Sequence, residues 1–473
     1  MFSAQNPCRR LLPVFAAFLT FLVPLGATAT EVLDFTVQTV NGQQSGDCKA
    51  IADFDDDGWN DLAIGGAALV WYRGPDWIPT LIATADVEFT TDMETADLDQ
   101  DGDPDLIVPD GTAGVYWWEN LNEGQSWARH FIGASANMYT HDVAVGDIDG
   151  DGDLDVVGRP LDGDLFVYRN NGSTWTARSL ATTGGEGLDL VDLDGDGRLD
   201  LVVNGQWHRA PAGDIITSTW TTHVFDAARL GQLMKVSAAD LNGDGRPDIA
   251  LTPAESIGEI AWYSAPSDPL NGVWTRTVLR ANADRYHSLI LIDMNGDGWR
   301  DLVTAQMHTA ATGPYLEAYL NIGAGAGFVR QLLASASSHN LVAGDLDRDG
   351  RPDLAGCDYI GFPPVSAWIN APNSVTAVPL SLQGLSLAAS PNPFNARLGL
   401  TIDALGAGPV TVRVYDLQGR LVRDLWLGGP VAGPTTLVWD GRDASGASVA
   451  SGVYRLVLAA GGAQRSQAVV LVK

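Results

Sequence analysis

Cysteine is almost absent, with three in 473 residues. Cys8 lies in an N-terminal segment that reads as removable, which leaves Cys48 and Cys357. That is too few for a disulfide scaffold or a cysteine-based zinc site. Long apolar runs are missing too, apart from Leu11 to Leu25, which is short for a bilayer span and interrupted by Pro13 and Pro24. Arg9 and Arg10 precede it and Ala27-Thr28-Ala29, a small-x-small cleavage pattern, follows, so residues 1–29 read as an export signal. The mature chain is expected to have no transmembrane segment and to be secreted or held at the cell surface. Positive charge is scarce as well: 28 Lys and Arg stand against 58 Asp and Glu, a net charge of −30 that becomes −32 once Arg9 and Arg10 leave. Such a chain repels nucleic acid and anionic membranes, and no basic stripe offsets that.

What the chain has instead is acid, concentrated in seven copies of Asp-x-Asp/Asn-x-Asp-Gly-x-x-Asp. They begin at Asp53, Asp97, Asp147, Asp192, Asp240, Asp293 and Asp345, with successive starts 44, 50, 45, 48, 53 and 52 residues apart. Alternating apolar segments flank each loop, such as Val143-Ala144-Val145 before and Leu201-Val202-Val203 after. That period of two predicts strand–loop–strand. The loops hold 29 of the 58 acids.

Ca²⁺ is a hard ion that takes six to eight oxygen ligands in irregular geometry, and such loops can supply them. The expected ligands, at loop positions 1, 3, 5 and 9, are Asp53, Asp55, Asp57 and Asp61; Asp97, Asp99, Asp101 and Asp105; Asp147, Asp149, Asp151 and Asp155; Asp192, Asp194, Asp196 and Asp200; Asp240, Asn242, Asp244 and Asp248; Asp293, Asn295, Asp297 and Asp301; and Asp345, Asp347, Asp349 and Asp353. Glycine at position 6 permits the tight bend. Asn242 and Asn295 keep an oxygen but lose a charge, so the fifth and sixth loops should bind more weakly. Without an ion, clustered carboxylates repel. Up to seven Ca²⁺ are expected, and seven would bring the mature charge from −32 to about −18. An EF-hand is excluded because strand-forming residues, rather than a twelfth-position acid and a helix, follow position 9.

Each repeat then continues with an aromatic strand, such as Val70-Trp71-Tyr72 or Ala261-Trp262-Tyr263, and an outer strand, such as Trp127 to Ile132 or Phe328 to Leu333. Four strands per repeat make the blade of a β-propeller, here all-β and seven-bladed. In the fourth repeat, residues 205–216 obscure the third strand. The seventh repeat lacks a fourth strand after Trp368-Ile369-Asn370. Leu33 to Val40 resembles the missing strand and is expected to close the ring, removing an exposed edge. The loops and aromatic strands of residues 31–370 resemble the FG-GAP/VCBS repeat family, which is related to the integrin-α propeller and to certain fungal lectins. That resemblance implies calcium loops joining first and second strands on one face, and ligands met on the opposite face.

Residues 371–384 read as a linker. In 385–473, short strands with Gly-rich turns argue for a β-sandwich. SPNPFNA (Ser390 to Ala396), VRVYDLQGRLVRDL (Val412 to Leu425) and WDGRDASGASVASGVYRL (Trp439 to Leu456) resemble the FlgD-like immunoglobulin-type domain and the type IX secretion sorting domain. The second resemblance implies the type IX secretion machinery as a partner; a plain structural cap is the alternative.

Six residues before each first Asp stand Asp47, Thr91, His141, Glu186, Met234, His287 and His339, at the expected mouth of the central channel. Three of the chain's seven His share this register. Trp207, His208, His308 and Tyr359 are expected on loops of the same face. Such a ring suits a metal, an extracellular glycan or protein ligand, or acid–base groups, or else is a set of polar groups satisfied by water. A binding or adhesion module is the first reading. An extracellular polysaccharide lyase or hydrolase is the alternative, although no nucleophile–base or zinc motif marks one. Cys48 and Cys357 meet at the ring seam, where they form either a disulfide or two buried free thiols.

Overall fold

The structure, a computed structural model, describes residues 33–84, 89, 91–110, 114–134, 140–323, 325–359, 364–371, 385–395, 397–404, 410–416, 420–427, 435–460 and 463–472. The export segment and all of the expected linker after Ala371 lie outside these residues. Among the described residues every element is a strand except one 3-10 turn, Ala227–Arg229.

Residues 33–371 form seven antiparallel four-stranded sheets. Their innermost strands are Cys48–Ala52, Glu94–Ala96, Thr140–Gly146, Asp189–Val191, Met234–Ala239, Ile290–Ile292 and Asn340–Gly344. Each packs beside the next, and the seventh packs on the first, so the sheets stand radially around a channel as a β-propeller. Burial follows from this arrangement. Second strands such as Asp61–Gly65 and Leu302 with its neighbours in Asp301–Ala305 are buried on both faces, because each sheet is sandwiched between two others. Outer strands such as Ile78–Thr84 are half exposed. Each apolar cluster between blades draws on two adjacent sheets; Val202 and Trp207, for instance, meet Ile249 and Leu251. The fourth sheet does have a third strand, the short Gln206–Arg209 that the irregular sequence after it had hidden.

The ring closes as expected from the sequence. Asp34–Asn41 pairs antiparallel with Val365–Ala371, from Asp34 opposite Ala371 to Asn41 opposite Val365. The first described residue is pinned to the sixth sheet, since Leu33 N–H donates to Gln331 Oε1 at 3.0 Å and its carbonyl accepts from Gln331 Nε2 at 2.6 Å.

The disulfide is not formed, and both thiols are free and buried. Cys48 packs between the first and second sheets, with Phe89, Met93 and Leu106. Cys357 packs between the seventh and first, with Leu62, Ile64 and Tyr72. They face opposite sides of the same sheet, so closing the ring brings their strands together but not their sulfurs. The Cys357 thiol instead donates to Gly46 O at 3.2 Å.

One buried carboxylate organises every sheet. The ninth loop residue, the first of each second strand, accepts two backbone hydrogen bonds. Oδ2 takes the N–H of loop position 2, as from Phe54 to Asp61 at 2.9 Å, and Oδ1 takes an N–H at the end of the third strand, as from Gly74 at 2.7 Å. The pair recurs at Asp105, Asp155, Asp200, Asp248, Asp301 and Asp353. Asparagines at third-strand ends then reach the preceding sheet: Asn120 Nδ2 donates to Phe54 O at 2.9 Å, Asn321 to Leu241 O at 2.8 Å and Asn370 to Met294 O at 2.9 Å.

The C-terminal unit is a sandwich of two sheets. Strands Leu385–Ser390, Leu398–Ala404 and Thr435–Trp439 face Leu421–Leu427, Val410–Tyr415, Gly452–Ala460 and Ala463–Leu471. Alternate residues Val410, Val412 and Val414 point inward to Trp439, Leu456 and Leu458.

Between the fifth and sixth sheets, Glu317 is wholly buried. It accepts from Arg280 Nη1 at 2.8 Å, Arg330 Nε at 2.9 Å, the Tyr286 hydroxyl at 3.0 Å and the Tyr319 hydroxyl at 3.2 Å. Burial pushes its pKa up, but the Arg330 and Arg280 guanidiniums outweigh that and hold it below the ordinary carboxylate value. A lowered pKa contributes stability that is full above the unfolded value and drains away as pH falls through the folded one. Glu317→Ala, which strands the arginines, should cost about 3–5 kcal/mol in denaturant unfolding and flatten the loss of stability below about pH 4. A cost under about 1 kcal/mol would show that the network holds little.

Candidate functional sites: the acidic loops and the channel mouth

All seven acidic loops join the innermost strand of a sheet to its second strand, at one end of the ring. Each is wound tightly by its own backbone. In the fourth, Asp192 accepts from Asp196 N at 3.0 Å and Gly197 N at 2.8 Å, and Asp196 accepts from Arg198 N at 3.1 Å. The position-6 glycines have φ between +82° (Gly58) and +103° (Gly102), a conformation side chains rarely adopt.

This winding brings like charges together. The carboxylate oxygens of Asp53, Asp55 and Asp57 lie within 4.8 Å of one another, as do those of Asp97, Asp99 and Asp101, and of Asp147, Asp149 and Asp155. Burial and then neighbouring carboxylates raise the pKa of Asp55, Asp99, Asp149 and Asp347. Asp55 Oδ1 is buried with no hydrogen-bond partner. A donor set of oxygen alone, some of it orphaned, fits a hard cation such as Ca²⁺. The fit is uneven. Arg73 bridges Asp55 and Asp57, and Arg209 bridges Asp194 and Asp196, partly neutralising the first and fourth loops. In the sixth, Asn295 Nδ2 donates to Asp297 Oδ2 at 3.1 Å, replacing a repulsion by a hydrogen bond.

At the other end of the ring the innermost strands begin, and there the register residues converge. His287 Nε2 stands 3.1 Å and His141 Nε2 3.4 Å from Glu186 Oε2, and all three side chains are buried. His339 stacks on His287 with centroids 3.7 Å apart, and its Nδ1 lies against Asp47. Tyr359 packs edge-on to His339 at 5.8 Å and stacks beside His308 at 6.4 Å. Thr91 Oγ1 donates to His141 O. Met234 is buried in the core between the fourth and fifth sheets.

Burial raises the pKa of Glu186, but the His287 and His141 rings reverse that and bring it down to about 2. Burial and the neighbouring His287 push His339 down to about 3, while His339 and Lys49 keep Asp47 at about 2 against burial.

Two expected members stand elsewhere. Trp207 lies within its sheet's third strand, pairs opposite Val202, and points into the core toward Ile249 and Leu251. His208 points to the opposite face, where its Nδ1 meets Thr222 Oγ1 at 3.0 Å and burial depresses it to about 4. Strand alternation, hidden by the irregular fourth repeat, turns both away from the mouth.

The sequence reading missed Asp142, Lys235, Lys49 and Glu255. Lys235 Nζ bonds Asp142 Oδ1 at 2.8 Å, Lys49 Nζ bonds Asp47 O at 3.1 Å, and Glu255 Oε1 lies 3.6 Å from His287 Nε2. A signal existed. The chain has only three lysines, and the two besides Lys473 are both buried in the channel wall. Behind the mouth the channel holds a cavity of about 430 Å³ lined by Lys49, Asp92, Glu94, Asp142, Asp189 and Lys235. Several of these acids stitch adjacent innermost strands together: Asp92 accepts from Val143 N at 3.1 Å, Asp142 from Gly187 N at 2.9 Å and Asp189 from Ala238 N at 2.7 Å. Beside the mouth a second cavity, about 360 Å³, is lined by Arg229, Leu233, Pro253, Glu255 and Ile257, the last 64 % exposed.

Residues 97–158, 147–203, 240–304 and 293–356 match the FG-GAP-like repeat, and residues 396–464 match the FlgD Ig-like domain. The chain therefore carries FG-GAP-like repeats in a β-propeller, followed by a FlgD Ig-like domain. No curated protein matches it. Among solved structures it is similar to BBS1N in complex with ARL6DN, at 13% identity over 72% of this chain and 98% of that one, with a TM-score of 0.49. It is similar to PorZ, a surface component of the type-IX secretion system of Porphyromonas gingivalis, at 16% identity over 88% and 58%, TM-score 0.39. Raptor of Chaetomium thermophilum is similar at 10% identity over 74% and 30%, TM-score 0.47.

Excess chelator is expected to lower the propeller's unfolding temperature by on the order of 10 °C in calorimetry, since each ion bound only by the folded chain adds to its stability. An unchanged transition would mean that the acidic loops stand without ions.

Proposed function

We propose that this protein is an exported, calcium-loaded binding or adhesion module that takes an extracellular protein or glycan at the channel-mouth face. The observation that carries this reading is the cleft beside the mouth. It combines exposed Ile257 with Leu233, Pro253, Arg229 and Glu255, on the face opposite the acidic loops. An apolar patch with a few charged groups beside it is the usual make-up of a recognition site. Among the described residues the seven nine-residue acidic loops expose no large apolar side chain, and there calcium would serve to hold the blades. Residues 1–29 would direct export, and the C-terminal sandwich would act as a sorting or attachment domain for type IX secretion.

A polysaccharide lyase or hydrolase is the second reading, favoured by the titratable cluster of His141, Glu186 and His287 beside that cleft. Probing glycan arrays and immobilised cell-surface proteins with calcium-loaded protein, alongside reducing-sugar and unsaturated-product assays, separates the two. Capture without turnover is expected, with Ile257→Arg weakening it about tenfold or more. Capture untouched by Ile257→Arg would move the site elsewhere, and turnover would replace the binding reading by the enzymatic one.

A further inference from the structure

We propose that His141, Glu186 and His287 form a binding site for one divalent transition-metal ion, of the zinc or cobalt kind, distinct from the calcium loops at the far end of the ring. The first argument is spacing. Two ligands each about 2.1 Å from one ion lie about 3.0 Å apart at a right angle and about 3.4 Å apart at a tetrahedral angle. Glu186 Oε2 is 3.1 Å from His287 Nε2 and 3.4 Å from His141 Nε2. The three donor atoms lie within 4.8 Å of one another and all three residues are buried.

The second argument is the hydrogen bonding. His287 Nδ1 is 2.8 Å from the His339 carbonyl, which can only accept, so Nδ1 carries the ring proton. Nε2 is then the ring nitrogen that faces the Glu186 carboxylate, at 3.1 Å from Oε2. Neither that nitrogen nor either oxygen of Glu186 has a hydrogen-bond partner, although both residues are wholly buried. Buried polar atoms left so are costly, and a shared cation satisfies all of them at once. Lys235 does not take that place: its Nζ is engaged by Asp142 at 2.8 Å and stands 4.0 Å from Glu186.

The third argument is construction. Glu186 sits between Gly185 and Gly187, with φ of +123° and +93°. A Cβ at either would fall 2.2 Å from Asn204 Nδ2 or 2.1 Å from the Met234 carbonyl, so only this glycine–glutamate–glycine run can press the carboxylate into the channel. Asp142 lies 3.4 Å from His141 Nδ1, the place of a carboxylate that orients a metal-binding histidine. Imidazole nitrogens with one carboxylate suit first-row transition ions rather than Ca²⁺ or Mg²⁺. Glu255, 38% exposed and 3.6 Å from His287 Nε2, links the site to the open cleft and supplies a further ligand position.

Tag-free full-length protein saturated with calcium and titrated with Co²⁺ tests this. One equivalent should bind with a visible d–d band stronger than that of the aquo ion. His287→Ala and Glu186→Gln should weaken that binding about 30-fold or more, and His130→Ala, a histidine on the outer strand Ser126–Ala134 paired with Glu119, should not. Because the site variants could unfold, unaltered protein soaked in Zn²⁺ is examined by anomalous diffraction, where a peak between the three side chains is expected. The proposal is overturned by a channel without a peak, by a band that survives both site variants, or by ¹⁵N shifts showing His287 protonated on both nitrogens with Zn²⁺ present.

Discussion

In each blade a single carboxylate, wholly buried at the first residue of the second strand, takes one N–H from the acidic loop and another from the end of the third strand. Three segments of chain are thereby fixed by one side chain, seven times over. Loop and sheet are consequently one unit: the loop cannot open without releasing the third strand. The arrangement is costly in charge. Burial first, then nearby loop carboxylates, raise Asp61, Asp105, Asp155, Asp200 and Asp301 to about 7 and Asp248 and Asp353 to about 6. A cation in the loop would relieve that cost, and its binding would thereby be coupled to folding in a ring whose neighbouring sheets are joined mainly by side chains.

The two ends of the channel solve opposite electrostatic problems. At the acidic end oxygen ligands stand in excess of cations and face solvent, a setting for hard ions. At the mouth, nitrogen donors are interleaved with carboxylates and shielded from water, with Lys235 and Lys49 balancing charge. The seam between the last sheet and the first is closed by Asp34–Asn41, so a strand from the beginning of the propeller completes a sheet built from its end, and the mouth is held as a complete circle.

Much of this was legible because its causes are periodic. The Asp-x-Asp/Asn-x-Asp-Gly-x-x-Asp spacing and the flanking period-two segments located the sheets, and the missing fourth strand after Asn370 pointed to Leu33 to Val40. Counting six residues back from each loop located Asp47, His141, Glu186, His287 and His339, because the innermost strands all run into their loops in the same direction, so equal offsets from the loop reach the same height. What periodicity cannot convey is which face a side chain takes in an irregular stretch. Trp207 and His208 were misplaced for that reason, and Cys48 and Cys357 were brought to the right strands but to opposite sides of one sheet. The role of the ninth-position aspartate was half legible: its acidity suggested an ion ligand, whereas its backbone partners, Gly74 or Asn370 for example, lie ten to twenty residues away and leave no local trace. Asp142, Lys235 and Glu255 act through neighbours from other blades, which only the closed ring assembles.

The buried carboxylates can be tested through the pH dependence of stability with and without calcium. A carboxyl whose pKa is raised in the folded chain stabilises it fully below the ordinary value near 4 and loses that contribution as pH rises through about 7. Protein freed of divalent ions should therefore show an unfolding temperature that falls between about pH 5 and pH 8. In millimolar Ca²⁺, which holds the carboxylates ionised, the fall should vanish or reverse. Identical pH profiles with and without calcium would contradict a fold stapled by buried carboxylates that an ion keeps charged.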